Sequence, residues 1–123
     1  MLTEVIRDIL SNEGVASFTT QGTEEPHMAA TWNSYIRIDG SNELLIPAGS
    51  LFHTEENSKN GSDLQMIIAS KRVKGMHGDG AGFLLQGTAV FEDHGHRFEQ
   101  MQSNFPWARA VMVFKVSGVK QLI

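Results

Sequence analysis

Short runs of β-forming residues recur along this chain between turn signals, and no helical period lasts long enough to serve as a crossover between parallel strands. Parallel neighbours need such a crossover, so the pattern commits the chain to antiparallel pairing. Residues 15–20 form the first strand, and Gln21-Gly22-Thr23-Glu24-Glu25-Pro26 supplies a turn before a longer extended segment over 27–38. Asp39-Gly40-Ser41-Asn42 turns the chain again into a buried strand over 43–46, which Pro47 ends. Residues 64–69, 83–92 and 108–116 complete a set of six expected strands.

The helical signals are short. Leu2, Ile6, Ile9 and Leu10 share one face of a first helix that Thr3 and Glu4 start and Gly14 stops. A second helix is expected over 53–60 with Thr54 as its N-cap and Gly61 as its end, and a third over 97–103 with Phe98 and Met101 at i and i+3. Four glycines within residues 75–82 read as a flexible connection. The expectation is one domain over 1–123, mainly β, an antiparallel six-stranded barrel or strongly curved sheet with short flanking helices.

Composition narrows the chemistry. With no cysteine, the chain has no disulfide, no thiolate-held cluster or zinc site and no thiol nucleophile, so electron transfer would require an organic cofactor or haem. A net charge of −4 argues against general nucleic-acid binding, which draws on neutralised phosphates. The first residues carry acids and no apolar core, and no run nears the ~20 apolar residues of a membrane span, so the cytoplasm is the expected compartment. There is no Gly-x-Ser-x-Gly elbow, no phosphate loop, and no metal set beyond the close-spaced Asp93-His94-Gly95-His96, where Asp93 serves equally as a helix cap.

Three segments concentrate polar groups where apolar runs end. In Thr31-Trp32-Asn33-Ser34-Tyr35, an extended strand points Thr31, Asn33 and Tyr35 to one face and Trp32 and Ser34 to the other. That polar face suits the edge of a heterocycle, and equally a half-buried strand with an aromatic core residue. Pro47, Gly49 and Ser50 lead to His53 and Thr54, where a helix N-terminus offers free amides to an anion, and Thr54 either caps the helix or donates to a phosphate. Ser70-Lys71-Arg72-Val73-Lys74 gathers three of the chain's ten Lys and Arg residues, as a phosphate-binding loop or as a solvated turn.

Taken with Asn12-Glu13-Gly14-Val15, Gly82-Phe83-Leu84 and Trp107-Ala108-Arg109-Ala110, these blocks resemble, in order and spacing, the small FMN-binding proteins of the pyridoxamine 5′-phosphate oxidase-like split β-barrel superfamily, those of sulfate-reducing bacteria in particular. The resemblance implies a six-stranded split barrel and a homodimer with one FMN per subunit near the interface. It implies that Thr31, Trp32, Asn33 and Tyr35 border the ring, that Pro47 and Gly49 offer backbone contacts, and that Thr54, Ser70 and Lys71 bind the phosphate. Trp107 would lie near the flavin, Leu122 and Ile123 would cover the partner's site, and Glu13 would act on the flavin electrostatically. Where the family pattern carries a lysine before the threonine, this chain has His53, cationic only in part near neutral pH. The implied role is electron carriage to a redox partner protein, with no catalytic residue. A flavin-dependent oxidase or reductase, and a haem or deazaflavin protein of the same fold, stand as alternatives.

Overall fold

The inward-facing residues of seven strands enclose a single main core, and the computed structural model describes all of residues 1–123. In chain order the elements are α1 (Glu4–Leu10), β1 (Val15–Gln21), β2 (Pro26–Trp32), a 3₁₀ turn (Asn33–Tyr35), β3 (Arg37–Asp39), β4 (Glu43–Ala48), α2 (Phe52–Lys59), β5 (Leu64–Gly75), β6 (Gly78–Glu92), α3 (His96–Asn104) and β7 (Ala110–Gln121). The strands form one antiparallel sheet in the order β2-β1-β5-β6-β7-β4-β3. Ala16 and Phe18 of β1 share a buried cluster with Leu44 and Ile46 of β4, four places along the sheet, so the sheet curls around its own core. Ile6 and Ile9 of α1, both fully buried, join that same cluster.

The tally of six strands is corrected to seven, and the ladder does not close: β2 and β3 stand at its two ends and pair with β1 and β4, not with each other. The extra strand arises because the expected extended segment over 27–38 breaks at Asn33. This residue is completely buried, and its amide donates to Gly14 O at 2.8 Å. Its Nδ2 donates to Asn12 O at 3.0 Å, with longer approaches to Ile9 O and Ala69 O. Ile9 and Asn12 lie at the end of α1, where carbonyls lack helical partners. One carboxamide thus caps α1 and anchors it to β5, and the chain turns to satisfy it.

Other boundaries move for similar reasons. The strand expected over 64–69 runs on to Gly75, and the glycine-rich stretch forms the tip and first residues of a β5–β6 hairpin, not a flexible connection. A Cβ on Gly75 would overlap the Gly80 carbonyl, so the two strands cross there only because a side chain is missing. The cationic segment 70–74 lies where the β5–β6 register shifts, inside the strand and not in a loop after it. β7 extends to Gln121, and Leu122 and Ile123 are bonded through the backbone to Gly82. Over β7 and β4 lies α3, which buries Leu45, Met101, Val111 and Val113 and is tied down by Arg97 to Glu92, Asp39 and Glu43. Val111 and Val113 are therefore as buried as Met112 and Phe114 on the other face, which explains the unbroken apolar run. No helix is long and apolar enough to cross a membrane.

Replacing Asn33 by Asp would aim a carboxylate at carbonyl oxygens in a dry site. We expect a loss of about 2–4 kcal/mol of stability, read as a lower urea midpoint at unchanged slope, with Asn33→Ala milder. An unchanged midpoint for Asn33→Asp would remove the anchoring role.

Candidate functional site

The breaks in the strands gather polar and aromatic groups at one end of the sheet. A cleft of about 340 Å³ is lined by Ala30, Thr31, Trp32, Tyr35, Pro47, Gly49, Ser50, Leu51 and Trp107. Its walls come from the end of β2, the 3₁₀ turn, the end of β4 and the segment after α3. Tyr35, turned back by the 3₁₀ turn, packs with Phe105 and Trp107 at ring-centroid distances of 4.9 and 5.7 Å. The Trp107 indole also lies against the loop at Gly49, where an added Cβ would sit 2.9 Å from its ring. Trp32 and Trp107 remain about half exposed, leaving two indole surfaces open to a planar ligand. The lining carries no carboxylate, imidazole, ammonium or guanidinium group.

The rim of this cleft meets the start of α2. The expected cap, Thr54, lies within the first turn, and the N-cap is Leu51, in the left-handed conformation with φ 62° and ψ 31° and no side-chain acceptor. The first helical hydrogen bond runs from Glu55 N to Leu51 O, which leaves the amides of Phe52, His53 and Thr54 without backbone partners. Thr54 is 1% exposed and no hydrogen bond within the chain engages its hydroxyl. On the far side of this helix start lies a second, polar cleft of about 530 Å³. There His53 and His27 stand with ring centroids 5.2 Å apart, among Glu24, Glu25 and Glu56. An apolar slot for a flat group and an uncapped helix start for an anion therefore adjoin.

Of the residues singled out in the sequence, the structure brings together Thr31, Trp32, Tyr35, Pro47, Gly49, His53, Thr54 and Trp107 around this junction. Asn33 is withdrawn into the core by the bonds described above, so the shared face expected of Thr31, Asn33 and Tyr35 does not exist. Ser70 and Lys71 are not part of the junction within one chain. They follow Ala69 on β5, level with Trp32 across β1, but line neither the slot nor the polar cleft. Leu122 is bonded to Gly82, the partner of Ala69, and likewise lines neither cleft.

Glu13 takes a position that the sequence only hinted at. Its carboxylate accepts from the Ser34 hydroxyl at 2.7 Å and from the amides of Ser34 and Gly14 at 3.2 and 3.1 Å, one residue from Tyr35. The Ser34 hydroxyl, then the Ser34 amide, hold the carboxyl below its ordinary value despite full exposure. The grip of Arg109 on the loop before α2 was also missed. Its signal in the sequence was a lone cation two residues after Trp107.

No protein-family model matches the chain. An FMN-binding protein of Nitratidesulfovibrio vulgaris (strain DSM 19637 / Miyazaki F) is 37% identical to it over 123 residues, the whole of both chains. The chain belongs to this FMN-binding protein family. Solved structures agree on the fold of this family member at much lower identity. HupZ of Group A Streptococcus superposes with a TM-score of 0.81 at 16% identity, covering 99% of this chain and 94% of that one. An FMN-binding protein from Syntrophomonas wolfei subsp. wolfei gives 0.77 at 12% identity, over 99% and 86% of the two chains. An F420 reductase gives 0.63 at 12%, over 93% and 94%. At such identities these likenesses speak for the fold alone.

Because the Glu13 carboxyl titrates lower in the folded family member than in the unfolded chain, its contribution to stability is complete above the ordinary glutamate range. It is lost as pH falls through the depressed value. Glu13→Gln should therefore flatten the acid limb of a melting-temperature profile, and a profile parallel to that of the wild type would disprove the contribution.

Proposed function

We propose that this chain binds one non-covalent FMN per subunit at the interface of a homodimer and serves as an electron carrier for a redox partner protein. The observation that carries the reading is the adjoining pair of features at the end of β4: an aromatic-walled slot and an uncapped helix start. FMN has the matching shape, a planar apolar ring joined by a short polar chain to a dianion. The 37% identical relative bears the name FMN-binding protein.

In this reading Trp32, Tyr35 and Trp107 flank the ring, and Thr31, Pro47 and Gly49 contribute its hydrogen-bonding edge. The phosphate lies at the amides of Phe52, His53 and Thr54 and accepts from the unengaged Thr54 hydroxyl. Bound FMN supplies reversible acceptance of one or two electrons. The aromatic walls of the slot would hold the ring and shield it from water. Substrate oxidation by general acid–base chemistry calls for a titratable group of suitable pKa near the reacting bond, and Tyr35 is the only ionisable side chain in the slot. The balance favours a carrier over an oxidase.

The case for a second copy rests on the outer face of β2, β1, β5 and β6. Ala30, Ser17, Ile67 and Leu84 face one another in direct register across it, all uncharged. Val15, Met28, Trp32 and Ile67 on the same face are each about half exposed or more. A face of this kind matches itself about a twofold axis. Ser70, Lys71 and Leu122, which do not line the slot within one chain, would then reach a flavin from the partner.

Freshly purified protein should show flavin absorption and release about one FMN per chain on heating. It should elute at dimer mass, with Ile67→Lys shifting it to monomer and weakening the flavin. Wild-type protein that takes up no FMN from excess would end this reading, and rapid reduction by NADH or NADPH would transfer it to the reductases. Glu13→Gln, by removing a negative charge beside the slot, should raise the reduction potential of bound FMN. An unchanged or lowered potential would separate Glu13 from the ring.

A further inference from the structure

Arg109 makes a set of contacts that the flavin reading leaves unexplained. It precedes β7, and its backbone amide donates to the Ala48 carbonyl at 2.9 Å. From there the side chain reaches back over the loop between β4 and α2. Nη2 and Nε both donate to the Ser50 carbonyl, at 2.6 and 3.2 Å, and Nη1 donates to Glu55 Oε1 at 2.8 Å. The guanidinium lies 4.0 Å over the ring centroid of Phe52, a residue otherwise 62% exposed. One planar cation so fixes residues 50, 52 and 55, on both sides of the free amides of Phe52, His53 and Thr54.

The loop needs such a hold. Leu51 occupies the left-handed region, which is unfavourable for a residue with a side chain and persists only where the surroundings enforce it. Relaxation of Leu51 would swing the helix amides away from their common focus. Glu55 adds a second requirement, because its carboxylate follows directly on the three free amides and would oppose an anion there. Partial burial pushes the Glu55 carboxyl upward, but hydrogen bonds from Arg109 and Lys59 outweigh this and keep it ionised. Lys59, at 3.2 Å, is 71% exposed and solvent-screened, so the neutralising of Glu55 falls chiefly to Arg109.

We infer that Arg109 is a positioning residue that sets the specificity of this site for a phosphorylated flavin, acting through Ser50, Phe52 and Glu55 and not by touching the ligand. The inference rests on the flavin reading above. Its donors are engaged inside the protein, whereas Trp32, Tyr35 and Trp107, which would hold the ring, owe their placement to other contacts. Loss of Arg109 thus falls on the phosphate end.

The test titrates apo-protein with FMN and with riboflavin, which carries the same ring without phosphate, for wild type, Arg109→Gln and Arg109→Lys, with thermal unfolding of each apo-protein alongside. Arg109→Gln should cut the preference for FMN over riboflavin by about tenfold or more while riboflavin affinity stays within about threefold. Arg109→Lys keeps a charge beside Glu55 but loses the planar hold on Ser50, and should fall between the two. A preference unchanged in both variants overturns the inference. So does an equal loss of both flavins, which is what a merely structural residue would give. If Arg109→Gln does not fold, the ratio in Arg109→Lys decides alone. Wild-type protein that binds neither flavin would defeat the cofactor reading itself, a failure visible before any substitution is compared.

Discussion

A single buried carboxamide decides where the second half of the sheet goes. Asn33 answers the unpaired carbonyls at the end of α1, and its own amide is held by Gly14, so the chain leaves the strand direction at that point. From that turn follow the short β3, the return of β4 and the position of Tyr35 against Phe105 and Trp107. A buried polar side chain of this kind is costly when unmatched and strongly specifying when matched. Asn33 directs its amino group at the carbonyls of Ile9, Asn12 and Ala69, so it is matched by three backbone acceptors.

The slot and the helix start share a second dependence, on residues that would be strained or exposed if considered singly. Gly49 lacks a side chain where Trp107 lies, Leu51 is held in the left-handed region, and Phe52 sits at the surface beneath a guanidinium. Each is unfavourable by local propensity alone. Together they bring a flat apolar surface and unpartnered amides to the same place, which a regular strand–turn–helix connection would not do.

Much of the architecture was legible in the sequence because it follows from periodicity. Periodicity placed Leu2, Ile6, Ile9 and Leu10 on one helix face, and β-forming runs between turn signals placed antiparallel strands in their rough positions. What escaped was set by side chains acting far from their own segment. Nothing local to Asn33 tells that α1 will present carbonyls to it, so the alternation of residues 31–35 was extended past its true end. Thr54 carried a capping signal, yet Arg109, more than fifty positions away in the chain, reaches the Ser50 carbonyl and helps hold Leu51 as the cap instead. The glycines of 75–82 signalled freedom, which Gly78 and Gly80 use at positive φ, whereas Gly75 serves close backbone approach within the hairpin. The resemblance to known FMN-binding proteins singled out Trp32, Gly49 and Trp107, which line the cleft and whose role the physical reading of any one segment left open.

The walls of the slot come from segments near residues 31, 48 and 107, while β5 and β6 follow one another through a tight turn. Loop-closure entropy favours the β5–β6 hairpin before β2 and β4 take their places in the sheet. The slot exists only once those distant segments have met, so a molecule seated in it adds to the ladder and ring contacts that join them. Cofactor supply and the lifetime of the folded state are then a single quantity seen from two sides: a cell short of the ligand would hold a protein whose last-formed contacts are also the first to open.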